Sequence, residues 1–198
     1  MNEETTGRAR PYNPDTKHRR SIRLKGYDYS QAGAYFVTLC AQDRACLFGE
    51  IIEIESRRSE AGQMIEAVWN EMTDHYPGVE TDAFVVMPNH IHGIIVLAGP
   101  VPDGESVGQP PAGLTLAEVV HRFKTMTTKR YTDGVKQAGW PPYRGRLWQR
   151  NYFEHVIRDE KTLEVIRQYI ADNPGRWSRD AENPAALVPE RERTWLET

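Results

Sequence analysis

Hydrophobic and polar positions along the 198-residue chain change period several times, and each change marks an element. The run "AYFVTLCA" (34–41), aromatic and β-branched, predicts a strand. "CLFGEIIEIE" (46–55) predicts a second strand, paired with the first through the turn "QDRA". Over 59–78, Ala61, Ile65, Val68, Trp69 and Met72 recur at helical period behind a Ser59 N-cap, and Pro77-Gly78 closes the helix. "VETDAFVVM" and "HIHGIIVLA" flank Pro88-Asn89 and predict a hairpin. The Gly/Pro-rich stretch 99–113 predicts an exposed loop. A second helix is predicted over 114–134, with Leu116, Val119, Val120, Phe123 and Met126 facing inward. A last strand is predicted over 147–158. A final helix follows, with acids in its first turn and Leu163, Ile166 and Ile170 as its apolar stripe, ending before Asn173-Pro174.

With the amino-terminal hairpin counted as one sheet position plus its extension, the order is strand, helix, strand, strand, helix, strand, then an added helix. That is the α+β, ferredoxin-like split βαβ arrangement: an antiparallel sheet with helices on one face, extended here by a carboxy-terminal helix. Residues 1–30 are expected to form a basic arm, 31–177 the domain, and 178–198 a loosely ordered tail.

Composition narrows the class. A hydrophobic fraction of 39% and a charged fraction of 27% suit a soluble globular chain. No apolar run approaches the ~20 residues of a membrane span, and the amino terminus lacks the apolar core of a signal peptide, so the cytoplasm is the expected location. Cys40 and Cys46 fit neither a zinc or redox spacing nor a disulfide framework and are expected to be packing residues. The net charge of −3 hides a segregation. Seven Lys/Arg and a single acid, Asp15, lie between Arg8 and Lys25, and eight Lys/Arg and a single acid, Asp133, between Arg122 and Arg150. These segments are candidate polyanion contacts, with solvated surface as the plain alternative.

The stretch "AFVVMPNHIHGIIVLAG" (83–99) carries His90 and His92 inside a nearly continuous apolar run. A buried histidine without a partner loses its hydration, so two together are costly unless something coordinates them. On a strand they share a face, about 7 Å apart at the backbone, and can converge on one ion. The alternative is one satisfied core histidine and one that caps the turn after Asn89. Tyr169 and Asn173, four apart, share a helix face: Tyr169 carries a hydroxyl that can act as a nucleophile, and Asn173 an amide oxygen that suits a hard cation. Here too a bland reading stands beside, in which Tyr169 packs on the sheet and Asn173 ends the helix. Two imidazoles, an amide oxygen and open positions suit Mg²⁺ or Mn²⁺ rather than a structural zinc.

"MPNHIHGIIVL", a basic helix, "LWQRNYFEHVIRDE" and "IRQYIADNPGRW", in that order, together with "IRLKGYDYSQAGAYFVTLCAQDR", resemble the REP-associated tyrosine transposases. These are relatives of the single-tyrosine insertion-sequence transposases in the HUH endonuclease class, named for His, a hydrophobic residue and His. His90-Ile91-His92 fits that pattern, and the similarity spans roughly residues 20 to 177. The resemblance implies that His90 and His92 bind a divalent metal, Mg or Mn, and that Tyr169 is the nucleophile. It also implies that Asn173 stands where the insertion-sequence relatives place a metal-binding Gln, one methylene longer. The closing spacing favours Tyr169 over Tyr152, and His155 is expected to be structural or DNA-contacting.

The implied reaction is metal-dependent cleavage and strand transfer of single-stranded DNA beside a hairpin, through a 5′-phosphotyrosine. Arg19, Arg20, Arg23 and Lys25 of the arm, and Arg122, Lys124, Lys129, Arg130 and Arg150, would hold the phosphates, with Trp148 and Tyr152 as candidates for base stacking. The protein would act as a monomer or homodimer. Two other classes stand beside this reading: a nuclease in which water attacks, and a catalytically idle hairpin-binding protein derived from a transposase.

Overall fold

The computed structural model describes residues 28–29, 31–98 and 114–187. Arg19, Arg20, Arg23 and Lys25 of the basic arm and the whole Gly/Pro-rich stretch 99–113 lie outside those residues. Among the described residues the order is β1 (Gly33–Cys40), β2 (Gly49–Ile52), β3 (Glu55–Arg58), α1 (Glu60–His75), β4 (Val79–Val86), β5 (His90–Leu97), α2 (Leu116–Gln137), β6 (Phe153–Ile157) and α3 (Glu160–Arg176). Single-turn 3₁₀ helices occupy Gln42–Arg44 and Trp177–Arg179.

Four strands form one antiparallel sheet in the order β4-β5-β1-β6, the ferredoxin-like order expected. Strand alternation divides the core in two. Tyr35, Val37 and Leu39 of β1 and Ile91, Ile95 and Leu97 of β5 pack against α1 and α2. Phe36 and Ile94 point the other way and meet Ile166, Tyr169 and Ile170 of α3. The added helix therefore covers the face opposite α1 and α2, and His90 and His92 lie on its side.

Each helix starts on a side-chain cap. Ser59 Oγ accepts from the Gly62 N–H at 3.2 Å, Asp159 Oδ1 accepts from the Thr162 N–H at 2.8 Å, and Thr115 with Glu118 completes a capping box on α2. Gly93 is required by packing: a Cβ there would stand 2.5 Å from the Trp69 ring and 3.0 Å from the Phe84 ring. Gly93→Ala is expected to cost about 1–3 kcal/mol by overpacking. Calorimetry should show a melting point lower by several degrees, and an unchanged melt would mean the Trp69–Phe84 stack yields freely.

Several expectations are corrected. Residues 46–55 do not pair with β1, because both edges of β1 are already taken, by β5 and β6. The chain leaves the sheet through Asp43 and Arg44, both left-handed (φ 58° and 54°). It then folds back on itself as the β2–β3 hairpin, turning at Glu53 (φ 57°). The last strand is shorter than 147–158: Leu147 to Tyr152 form a loop that meets the residue just after β1 through an isolated Ala41–Trp148 bridge. The final helix does not stop before Asn173-Pro174 but runs to Arg176. A proline forfeits one helical hydrogen bond, and here the packing of Tyr169, Ile170 and Asn173 against the sheet outweighs that loss. Beyond α3 the chain keeps packing as far as it is described: Asp180 is buried, and Glu182 pairs with Arg44 at 3.0 Å. Cys46, expected as a packing residue, is exposed.

Candidate metal and nucleophile site

The site forms where β5 begins. In register, His90 lies opposite Cys40 and His92 opposite Thr38. Both imidazoles are fully buried, and their Nε2 atoms stand 3.1 Å apart. Asp180 brings a buried carboxylate 3.4 Å from His90 Nε2. The three residues form the one group of metal-ligating side chains found among the described residues.

The surrounding hydrogen bonds fix how these rings present themselves. Asn89, in the turn before β5, donates its amide nitrogen to the carbonyls of Arg44 at 3.1 Å and Glu182 at 2.7 Å. Its Oδ1 is therefore the atom that faces His90 Nδ1, at 2.8 Å, and as a pure acceptor it requires a proton there. In a neutral His90 that leaves the Nε2 lone pair pointing at His92 and Asp180. His92 Nδ1 is held by the Thr38 hydroxyl at 2.9 Å. Two Nε2 atoms and a carboxylate turned on one point repel unless a proton or a cation lies between them. Outer partners of this kind are how proteins orient metal-binding histidines.

α3 passes over this cluster. The Tyr169 ring lies 5.4 Å from the His92 ring and 5.9 Å from Phe36, and the Arg176 guanidinium lies 6.0 Å from the Tyr169 ring. Two turns on, the Trp177 ring lies 6.1 Å from the His90 ring. Asn173 falls between them on the same stripe, fully buried, and neither of its amide atoms has a hydrogen-bond partner among the described residues. An orphaned buried amide costs about 1–3 kcal/mol, the expense expected of a group reserved for a ligand. A bidentate pair from Arg167 to Asp82, 2.6 Å at its shorter contact, ties α3 to β4 at a bulge between Thr81 and Phe84. The Arg167 hydrogen bonds hold the Asp82 carboxyl below its usual range.

The other singled-out residues lie elsewhere. Tyr152 sits beneath the Lys124 ammonium, 5.4 Å from its ring centre. Trp148 is core and donates to Thr127 Oγ1 at 2.8 Å, which removes it as a stacking surface. His155, half-buried, pairs in register with Phe36 outside the cluster. Burial, together with Arg158, holds its pKa down. On α2, Arg130 is engaged with Glu71, and Arg122 lies over the Tyr76 ring at 4.9 Å, both along the α1 edge. Lys124, Lys129, Arg146 and Arg150 line an open groove of ≈ 600 Å³ beside the loop before β6.

Asp180 is the residue that reading the sequence missed. It stands in "SRDAENP", a polar stretch with no periodicity, and its partner is ninety positions earlier. The only local hint is Trp177, an apolar residue one turn past Asn173 that keeps the helix stripe going toward it.

Comparison with known proteins follows the same lines. Residues 106–173 match the IS200-like transposase family, a span that holds α2, β6, Tyr169 and Asn173. An uncharacterized protein of Haemophilus influenzae is 36% identical over 181 residues, covering 85% of this chain and 95% of that one. A second H. influenzae protein, described as "Putative REP-associated tyrosine transposase", is 27% identical over 150 residues, 74% of this chain and 73% of that one. These matches relate the chain to the IS200-like and REP-associated tyrosine transposases. Among solved structures, a REP-associated tyrosine transposase bound to a REP hairpin matches with a TM-score of 0.48 and 20% identity over 77% of this chain and 72% of that one. A Deinococcus radiodurans structure described as "a putative transposase" matches with a TM-score of 0.40 and 20% identity over 75% of this chain and 95% of that one. That relationship supports a transposase-like role in DNA processing. No helix among the described residues is long and apolar enough to cross a membrane.

Proposed function

We propose that this transposase-family protein cleaves and rejoins single-stranded DNA beside a hairpin, using a divalent metal and a 5′-phosphotyrosine formed on Tyr169. The observation that carries the reading is the convergence of His90 Nε2, His92 Nε2 and the Asp180 carboxylate under the Tyr169 helix, with the donors of Asn89 dictating the His90 tautomer. The donor set fits a hard divalent cation: two imidazoles and a carboxylate, with the orphaned Asn173 amide as a further oxygen. Mg²⁺ or Mn²⁺ held there would withdraw charge from the scissile phosphate.

The rest of the chemistry falls to the chain. A tyrosine hydroxyl, with a pKa near 10, is a weak nucleophile at neutral pH. Arg176 places a positive charge beside the Tyr169 ring. Tyr169 Oη attacks phosphorus and gives up its proton; the bond to the 3′ oxygen breaks, and that oxygen leaves as a 3′-hydroxyl. Attack by another 3′-hydroxyl runs the same exchange backwards, so no external energy source is consumed. Lys129 and Arg150, in the groove beside α2, are positioned to meet phosphates. The arm residues Arg19, Arg20, Arg23 and Lys25 would add to that charge, and the protein would act as a monomer or homodimer.

The test is incubation with hairpin-bearing single-stranded DNA plus Mn²⁺, resolved on a denaturing gel. A covalent protein–DNA band is expected. Hairpin binding without a band in any divalent metal would favour the idle binding protein, and cleavage without a band would favour attack by water.

Two smaller outcomes follow from the same geometry. Asp180→Asn and Asn173→Ala are each expected to lower cleavage about tenfold to a hundredfold, the usual loss for one supporting ligand, with partial rescue at higher metal concentration. A variant insensitive to metal concentration would remove that residue from the metal site. Hairpin affinity should also fall steeply with salt although the protein is acidic overall. About six single-strand phosphate contacts at about −0.7 each give a slope of about −4 in log K against log salt, and a slope near zero would mean the basic segments are only solvated surface.

A further inference from the structure

The basic groove has one member that does not behave as a groove residue. The Lys124 ammonium is turned inward, donating to the carbonyls of Gln149 at 2.8 Å and Arg150 at 3.4 Å. Its third side faces the Tyr152 ring. The loop it grips is otherwise anchored to the end of β1. The Gln149 N–H donates to Cys40 O at 2.9 Å, Gln149 Nε2 donates to Ala41 O at 3.2 Å, and the Gln42 N–H donates to Leu147 O at 2.8 Å. On the α2 side the ties are Lys124 itself and the Trp148–Thr127 hydrogen bond. Cys40, at the anchored end, is the register partner of His90. One short loop thus joins the groove wall to the strand end that faces the metal-binding pair.

We propose that Lys124 is a positioning residue: its ammonium fastens the Gln149–Arg150 backbone to α2, fixing the groove wall from which Arg150 reaches DNA, and meets no phosphate itself. The inference rests on the proposed function for its consequence, because it takes the groove to be where DNA lies. A lysine whose hydrogens are committed to two main-chain carbonyls has little left for a phosphate. Removing it leaves two acceptors at the groove wall without their donor and lets the loop sample other positions. The loss then reaches DNA only through Arg150.

Full-length Lys124→Met, which keeps the stem and removes the donors, and Lys124→Arg, which keeps charge and donors, are compared with the wild type in two measurements. The first needs no DNA: amide hydrogen exchange of the peptide spanning 147–152. Exchange should rise about tenfold or more in Lys124→Met and much less in Lys124→Arg. The second is a double-mutant cycle with Arg150→Ala, read as the Kd for a labelled oligonucleotide that folds into a hairpin with a single-stranded extension. Lys124→Met should weaken binding about fivefold to tenfold in the wild-type background and hardly at all once Arg150 is gone. Additive losses would show that Lys124 contacts the DNA on its own and would overturn the proposal. Unchanged loop exchange would overturn it as well. A wild type that binds no hairpin would instead defeat the proposed function, leaving the exchange measurement to decide the role of Lys124 in the loop.

Discussion

Tyr169→Phe is expected to abolish the covalent protein–DNA species while leaving the fold and hairpin binding in place. Phenylalanine keeps the ring that packs on Phe36 and His92, so the melting temperature should move by no more than about 1 kcal/mol would produce. The cleavage rate should fall by about three orders of magnitude or more, since no other group replaces a missing nucleophile. Tyr152→Phe is the matched control: its ring lies under Lys124 in the groove, and removing its hydroxyl should leave the adduct intact. Mass spectrometry of the trapped adduct should place a 5′-linked nucleotide on the peptide containing "QYIADNPGR". A nucleotide on "NYFEHVIR" would move the chemistry to Tyr152 and leave the reaction class standing.

The second large effect belongs to the histidines. His90→Ala and His92→Ala should each reduce cleavage to background, because each removes one of the two nitrogens, 3.1 Å apart, on which the site converges. Hairpin affinity should change little, since the basic groove is built from α2 and the loop before β6. Both variants should still melt cooperatively, at some cost for the cavity left in a packed interior. Chelation of the wild type should reproduce the loss and added Mn²⁺ should reverse it, whereas in the variants added metal should not. A cooperatively folded His90→Ala protein that cleaves at the wild-type rate would remove the pair from the metal site.

The parts of this architecture written in local patterns were legible. Strand alternation alone places His90 and His92 on one face, and the helical repeat alone places Tyr169 and Asn173 on one stripe. What failed were elements decided by competition elsewhere in the chain. Residues 46–55 have the composition of a core strand, yet β1 has no edge left for them, and nothing in "EIIEIES" advertises a turn because Glu53 takes its left-handed conformation without Gly or Asn. Pro174 reads as a stop because a local rule ignores the surface that α3 must cover. Asp180 was unreadable for a related reason: its worth comes from His90, a contact made only in three dimensions.

The Asn89 side chain holds carbonyls from Arg44, well before the histidines, and from Glu182, well after the tyrosine. The consequence is temporal. During synthesis the histidines emerge first and Tyr169, the proposed nucleophile, much later, and the carboxylate beside His90 comes last of all. A nascent chain that has reached Tyr169 still lacks both the Asp180 carboxylate and one of the two carbonyls that orient Asn89. On the proposed function, full competence to cleave DNA is deferred until nearly all of the described chain has been made, and a premature stop just after α3 would release a chain that lacks the Asp180 ligand.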